Sequence, residues 1–537
     1  MKKLFLLLVS FHLLFIRGFS QNIQWQNTIG GGNHDGLNSI SQTSDGGYIC
    51  GGGSISNISG DKTENCLGQH DYWVVKIDIS GNIQWQNTIG GSGYDVITSI
   101  SQTSDGGYIC GGRSNSNISV DKTENCLGGF DYWVIKLDML GDIQWQNTIG
   151  GGGFDYLSAI IQTSDDGYIC GGYSGSNISG DKTENNSGYD DYWVIKLDSL
   201  GNIQWQNTIG GDSWEVLTSI SLTIDGGYVC GGFSGSDISG DKTENCLGDF
   251  DYWVVKLDMF GSIQWQNTIG GGGADYLYSI KQTNDGGYIL GGYSHSGISG
   301  DKTENNRDTT LATPDYWVIK LDSTGNIQWQ KTIGGGNTDQ LYSISETIDG
   351  KYICGGYSTS NISGDKTENC LGGHDYWIIK LDANANIQWQ NTIGGDTTDW
   401  ATSVGITSDG GYIIGGHSTS NVSGDKTENS NGGSDYWIVK INDTTITTTT
   451  QTTIQNPQSA ITIFPSPANK YSVISYQFAV GDEIRITDVL GKILFTKTIT
   501  RKCSMFNVQC SMLTSGMYFV TVSGEKGRIT QKIVVSH

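Results

Sequence analysis

The 537-residue chain has almost no proline: four residues, against 79 glycines. Collagen needs abundant proline and glycine at every third position, so that class is excluded. Cations are few. Lys and Arg number 31 against 55 Asp and Glu, a formal charge of −24. A surface this acidic repels phosphate backbones, which argues against nucleic acid as a partner. Histidine is scarce at seven, and no H-E-x-x-H, G-x-S-x-G or P-loop pattern occurs. Gly-Gly pairs are frequent but read as turn residues with no helix after them, so a dinucleotide fold has no support. The repeated region shows no sustained 3.6-residue apolar period, which argues against helices.

Long apolar runs are also missing, apart from the first residues. Lys2 and Lys3 precede a mostly apolar stretch at 4–16, and Gly18, Phe19 and Ser20 offer a cleavage site before Gln21. Residues 1–20 therefore read as a signal peptide. The run is short and broken by His12, so a retained membrane helix is not expected. It holds no Cys for a lipid anchor. The mature protein is expected to be exported, with no membrane span.

What the chain has is a repeat. The cassette D-Y-W-V-V-K-I-D-I-S-G-N-I-Q-W-Q-N-T-I-G-G at 71–91 recurs along residues 21–441. Its first Trp falls at Trp73, Trp133, Trp193, Trp253, Trp317, Trp377 and Trp437. The Trp of Q-W-Q falls at Trp25, Trp85, Trp145, Trp205, Trp265, Trp329 and Trp389. The wider gap before Trp329 comes from extra residues at 307–314. A repeat of this kind dictates the fold class.

Each unit contains four strand candidates. In the first they are 37–43, 48–51, 72–77 and 83–89, with S-D-G-G and S-G-N as tight turns and a long polar loop at 54–70. Four antiparallel strands repeated seven times predict an all-β, seven-bladed β-propeller of four-stranded blades. The first strand carries small Ser residues suited to the crowded axis. The third is apolar on both faces, as a strand buried between blades should be. The fourth is wet on one face. The phase adds an argument. The array starts with a fourth strand at 23–29 and ends with a third at 436–441. The N-terminal strand thus completes the last blade, closes the ring and removes two open edges. An open solenoid would need atypical capping repeats, and none is seen.

These blades, with G-Y-I-C-G-G followed by K-L-D-x-x-G-N-I-Q-W, resemble the quinoprotein-like propellers. They are more similar still to secreted D-G-G-Y / D-Y-W-V-V-K-L-D repeat proteins of Gram-negative bacteria that use type IX secretion. The resemblance covers all seven repeats and implies fold more than function.

Residues 442–458 form a Thr-rich linker. Residues 459–537 carry short alternating strands with Gly turns and predict a small C-terminal β-sandwich. Its D-x-x-G-K, L-x-S-G-x-Y and K-I-V-V motifs resemble the type A C-terminal sorting domain of the type IX secretion system. Pro465-Ser466-Pro467 stands where that family usually has P-N-P. The resemblance implies export through the type IX machinery to the outer cell surface or medium, with removal of this domain on the way.

There are 11 cysteines. Four repeats carry a matched pair: Cys50 and Cys66, Cys110 and Cys126, Cys230 and Cys246, Cys354 and Cys370. Repeats five and seven lack both. This co-occurrence in an exported chain predicts four disulfides, each stabilising by about 3 kcal/mol on chain-entropy grounds. Cys503 and Cys510 are candidates for a fifth, which leaves Cys170 odd. The competing reading is a set of small buried hydrophobes.

Both long loops of each unit share one face of a propeller, and binding is expected there because loops vary without disturbing blades. Repeat-to-repeat variation is prominent at the entry to strand one and at the end of the long loop. Candidate binding residues are His34, Tyr94, Phe154, Trp214, Phe130, Phe250 and Trp400, whose rings can stack on sugars or anchor a protein. Ordinary packing over the blade tops is the bland alternative. Next to the first variable position every unit carries an acid (Asp35, Asp95, Asp155, Glu215, Asp275, Asp339, Asp399), expected to ring the channel mouth. The G-D-K-T-E-N loop makes Asp61, Glu64 and Asp71 candidate Ca²⁺ ligands. The D-x-D-x-D-G spacing is absent, however, and Asp and Asn also serve to cap turns. No catalytic residue and no other cofactor is indicated. The function expected is a secreted or cell-surface scaffold for protein or glycan binding. The alternative is an extracellular polysaccharide-acting enzyme with its site in the channel.

Overall fold

The computed structural model describes residues 23–308 and 313–443. Beyond these it describes 462–464, 471–478, 481–488, 492–500, 503–509, 513, 516–524 and 527–535. The signal segment, the linker at 444–458 and Cys510 lie outside the described residues. The chain divides into two compact units, one up to residue 446 and one from 447.

The first unit is a propeller. Strand β1 (Ile23–Ile29) precedes blade one, made of β2 (Asp35–Gln42), β3 (Tyr48–Ser54), β4 (Asp71–Ile77) and β5 (Ile83–Ile89). These pair in the order β2-β3-β4-β5, and blades two to six repeat that order. Blade seven takes three strands from the end of the array and borrows β1, which pairs antiparallel with Asp435–Ile441. Consecutive first strands touch all the way round, and the last (Asp399–Ile406) meets β2. The ring is therefore closed, with first strands innermost.

The cassette explains the closure. All seven residues of β4 are buried, because both its faces meet a neighbouring blade. Tyr72 donates its hydroxyl hydrogen bond to the Trp133 carbonyl of the next blade at 2.9 Å, and its ring lies 4.8 Å from that indole. The same staple recurs around the ring and ends with Tyr436 on Trp73 at 3.0 Å. Within the blade, Trp73 Nε1 donates to Gln86 at 3.1 Å, which ties the two Trp-bearing strands together. Lys76, the cation on this buried strand, reaches Asp45 of the D-G-G turn at 3.0 Å. Gly46 in that turn has φ +85°, a region open to glycine at little cost.

Two local expectations are corrected. The second strand does not stop at Gly51 but runs to Ser54. Gly51 to Gly53 are strand residues, not a turn. A Cβ on Gly52 would lie 1.9 Å from the Gly36 carbonyl of its own blade and 2.8 Å from the Tyr436 hydroxyl of blade seven, so glycine is required by the close approach of both. The expected disulfides of the array are not formed either: the nine cysteines described there are free thiols. Cys50, Cys110, Cys230 and Cys354 are buried in the apolar seams between blades, where Leu290 and Ile414 stand in other repeats. Cys66 instead lies against the Ser54 carbonyl at 3.5 Å, at the far end of β3. Four strand residues separate that point from Cys50, roughly 13 Å, too far for a bridge. Asn306 takes the place of Cys66 in blade five and donates to the matching Ser294 carbonyl at 2.7 Å. The two cysteine positions therefore serve different ends of the strand.

The second unit holds a three-stranded sheet (Thr462–Phe464, Tyr471–Phe478, Cys503–Gln509) and a four-stranded one (Ile493–Thr498, Glu483–Asp488, Gly516–Gly524, Gly527–Val535). Ile484, Ile486, Tyr518, Val520 and Val522 are buried on alternate positions of the larger sheet, the pattern of a strand with one covered face. No helix among the described residues is long and apolar enough to cross a membrane.

Candidate functional site: the long-loop mouth

The antiparallel order places the D-G-G and S-G-N turns on one face and both long connections on the other. There the structure joins the two variable positions. At five of the seven blade boundaries the last residue of the long loop forms a parallel bridge with the residue entering the next blade: His70 with Tyr94, Phe130 with Phe154, Asp190 with Trp214, Phe250 with Ala274, His374 with Thr398. Asp95 N donates to the His70 carbonyl at 2.8 Å and so locks that pairing. The candidates read from sequence are therefore neighbours across blade boundaries.

They also extend inward through residues the sequence reading missed. Arg113, on the second strand of blade two, sits 5.2–5.8 Å from the rings of Tyr94, Phe130 and Tyr156. Its Nε is buried without a hydrogen-bond partner. Phe250 lies against Phe233 and Tyr276. Trp400 stacks on His374 with 4° between planes and lies 4.8 Å from Tyr357. His34 stands 6.1 Å from both His70 and His417. Trp214 pairs outward instead, stacked 4.6 Å from Tyr189. Phe154 is 52% exposed and Trp214 45%, so both offer ring faces to solvent. The missed residues occupy the second position of strand one and the sixth of strand two. These positions vary between repeats as the loop positions do, and Trp400 alone among the sequence candidates stands at one of them.

All five histidines of the propeller lie at this mouth. Burial, together with the nearby His34 and Arg113 charges, lowers the His70 pKa to about 4. Burial beside His34 does the same to His417. Burial also lowers His295 and His374. His70, His295, His374 and His417 are therefore neutral imidazoles around neutral pH. In blade one, Gly36 and Gly53 stand where Arg113, Tyr156 or Tyr173 stand elsewhere. A Cβ on Gly53 would come within 2.9 Å of His70 Nδ1, so the missing side chain makes room for that imidazole.

The ring of acids is not at the channel mouth, as expected from sequence, but beneath it. Asp35, Asp95, Asp155, Glu215, Asp275, Asp339 and Asp399 are all fully buried. Asp95 accepts from Gly91 N and Ser116 Oγ, both at 2.8 Å, and so folds the loop that carries Tyr94. A second buried set, headed by Asp71, accepts from the long loop's own backbone at Leu67 and Gly68. Between them Lys62 is buried over Trp73, 5.2 Å from the ring, and donates to Thr88. Burial pushes Asp275 and Asp339 up to about 6 and Asp315 to about 7, the last helped by Asp339. Asp191 is raised too, by burial and by Glu215 opposite.

Asp61, Glu64 and Asp71, the candidate Ca²⁺ ligands, are spent separately on backbone donors. Asp61 accepts from Gly30 N at 3.2 Å and Glu64 from Thr88 N at 2.6 Å. Among the described residues no group of three or more His, Cys, Asp or Glu is set to hold a metal.

Comparison with known proteins adds the following. Regulatory protein FlaEY of Caulobacter vibrioides is 23% identical over 260 residues, a match covering 45% of this chain and 27% of that protein. The WD40 domain of Neurospora crassa Pan2 aligns with TM-score 0.42 and 10% identity over 78% of this chain and 97% of that one. YCF48 bound to D1 peptide aligns with TM-score 0.40 and 8% identity over 79% and 96%. Residues 462–536 match the secretion system C-terminal sorting domain. The chain thus ends in a sorting domain of type IX secretion and is exported to the cell surface or beyond.

Proposed function

We propose that this exported propeller is a binding scaffold that takes a protein or glycan ligand at its long-loop mouth. The observation that carries the reading is the pairing of variable positions across blade boundaries, continued inward by rings from Arg113 to Trp400. Exposed aromatic faces stack on sugar rings and anchor protein partners, and the invariant blades hold them rigidly. The buried acids serve the loops and supply no carboxylate pair to the channel. Glycan-array and pull-down screens of the secreted protein test this. Binding that is lost in Tyr156→Ala and Trp400→Ala, with the fold intact, supports it. Turnover of a polysaccharide, abolished by a single channel substitution, overturns it in favour of an enzyme.

A further inference from the structure

The tight-turn face was not expected to carry a site, yet its symmetry is broken at two blade boundaries. At the other five a side chain at the end of the first strand clasps the turn of the preceding blade. Gln102 Oε1 accepts from Ser44 N at 2.7 Å, Gln162 from Ser104 N at 2.7 Å and Gln282 from Ile224 N at 2.6 Å. Glu346 and Gln42 do the same for Asn284 and Ser408. Between blades three and four the clasping residue is Leu222, which has no acceptor to offer the Ser164 N–H.

At that boundary a cavity of about 490 Å³ opens. Trp205, Tyr228, Leu222, Ile224, Met259 and Phe260 give it apolar walls, and Ser164, Asp165, Lys196 and Gln204 a polar rim. Its volume is in the range of specific ligand pockets. Ile224 is 90% exposed and Phe260 71%, at turn positions where blade one has Ser44 and Ser80. Large apolar side chains held in water by tight turns mark contact sites. Blades six and seven also lack the clasp, through Ile406. There Asp443 stands in the place of Met259 and pairs with Lys380, so the apolar wall is missing.

Charge selects the occupant. Lys196 is neutralised by Asp165 at 3.0 Å. In the turns that flank the lining residues, Asp198 and Asp258 cap their own backbone and form no ion pair among the described residues, while Asp166 accepts from Ser104 Oγ of blade two. The rim is anionic on a protein of charge −24, which disfavours a second copy of the same face and an anionic lipid surface alike. We propose that this seam docks a basic polypeptide segment. One apolar side chain of the segment fills the cavity, a backbone carbonyl accepts from Ser164 N–H, and flanking Lys or Arg residues face Asp198 and Asp258.

The test uses the full chain and fluorescently labelled peptides: Lys-Phe-Lys-Leu-Lys, its Glu counterpart, and a Lys-Ser-Lys-Ser-Lys control. The expected result is saturable binding of the first peptide alone. Binding should weaken about tenfold or more in Leu222→Gln and Ile224→Ser. These substitutions install the residues that other blades carry, leave the charge unchanged and restore the clasp, so thermal melting should show the fold kept. Asp258→Asn, the residue that blade seven carries there as Asn442, should weaken binding several-fold at low salt only. Equal binding by the Glu peptide, affinity indifferent to Leu222→Gln, or no binding at millimolar peptide overturns the proposal. So does concentration-dependent dimerisation abolished by Phe260→Ser, which would make the seam a self-contact.

Discussion

The two faces of the ring are built by opposite means. On the long-loop face a buried network of carboxylates and lysines shapes loops whose outermost residues are free to vary. On the tight-turn face the turns are short, the Asp of each D-G-G is half exposed, and its Lys partner is buried, as with Asp45 and Lys76. Variation on the first face therefore leaves the scaffold alone. Variation on the second changes the seam itself, because the clasping residue belongs to a strand end.

Both faces depend on closure, so the largest effect expected is from deleting residues 21–30. Loss of β1 strips an entire ladder from the last blade and exposes its edge. It should cost more than ~4 kcal/mol. Hydrogen exchange should show blade seven opening first, and unchanged protection there would disprove closure by this strand. The next test separates the faces. Asp95→Ala orphans Gly91 N and Ser116 Oγ in a buried loop and should cost ~3 kcal/mol. Asp95→Asn keeps an acceptor and should retain most of that. Asp45→Ala, at a half-exposed turn, should cost only ~1–2 kcal/mol. Denaturant melts read the difference, and equal costs would erase the contrast.

A stabilising change comes from Val120, held at φ +49° where other blades have glycine, as at Gly60 with φ +56°. Val120→Gly should raise stability by ~1 kcal/mol or more, since a β-branched residue is strained there. The pH dependence belongs to the long-loop side. Asp315 is raised by burial and by Asp339, with Arg307 N, Lys302 and Arg307 opposing. A carboxyl whose folded pKa lies above its unfolded one binds its proton more tightly when folded. Its contribution is present at low pH and is lost as pH rises toward and past about 7. Melting temperature should therefore climb slightly from pH 8 to 6.5, by about 1 kcal/mol or less. Below 6.5, His70 and His417, lowered to about 4, act in the opposite sense, because protonation favours the unfolded chain. Asp315→Asn should flatten the upper slope. The smallest effect is expected from Ile224→Ser and Phe260→Ser, within ~0.5 kcal/mol, because both side chains are in water.

The ring could be read from sequence because seven copies agree and their phase leaves one strand over at the start. Repetition averages out local ambiguity, so strand order and blade count followed from Trp73 and Trp85 and their echoes. What escaped was whatever lies between copies. Ser44 and Gln102 meet only because blades stand side by side, and nothing local to either residue announces the other. The acids headed by Asp35 looked like a rim because hydrophilic side chains are usually exposed. Their loops fold over them, a fact set by Ser56 and Gly31. Cys50 and Cys66 co-occur without touching, since one fills an apolar seam and the other ends a strand. Gly52 and Gly53 fell outside the expected strand because one reason for Gly52, the Tyr436 hydroxyl of blade seven, lies almost four hundred residues away in the chain.

The borrowed strand also sets an order of events in time. Of the propeller strands Ile23–Ile29 is made first, and it can find its partner, Asp435–Ile441, only after the last blade has been made. A chain broken off anywhere before residue 441 keeps a ragged edge and an unmated opening strand. The closed ring thus acts as a proof of completeness. Whatever engages the C-terminal sorting segment receives a chain in which closure has become possible, and a prematurely ended product is left with exposed strand edges that invite proteolysis or aggregation.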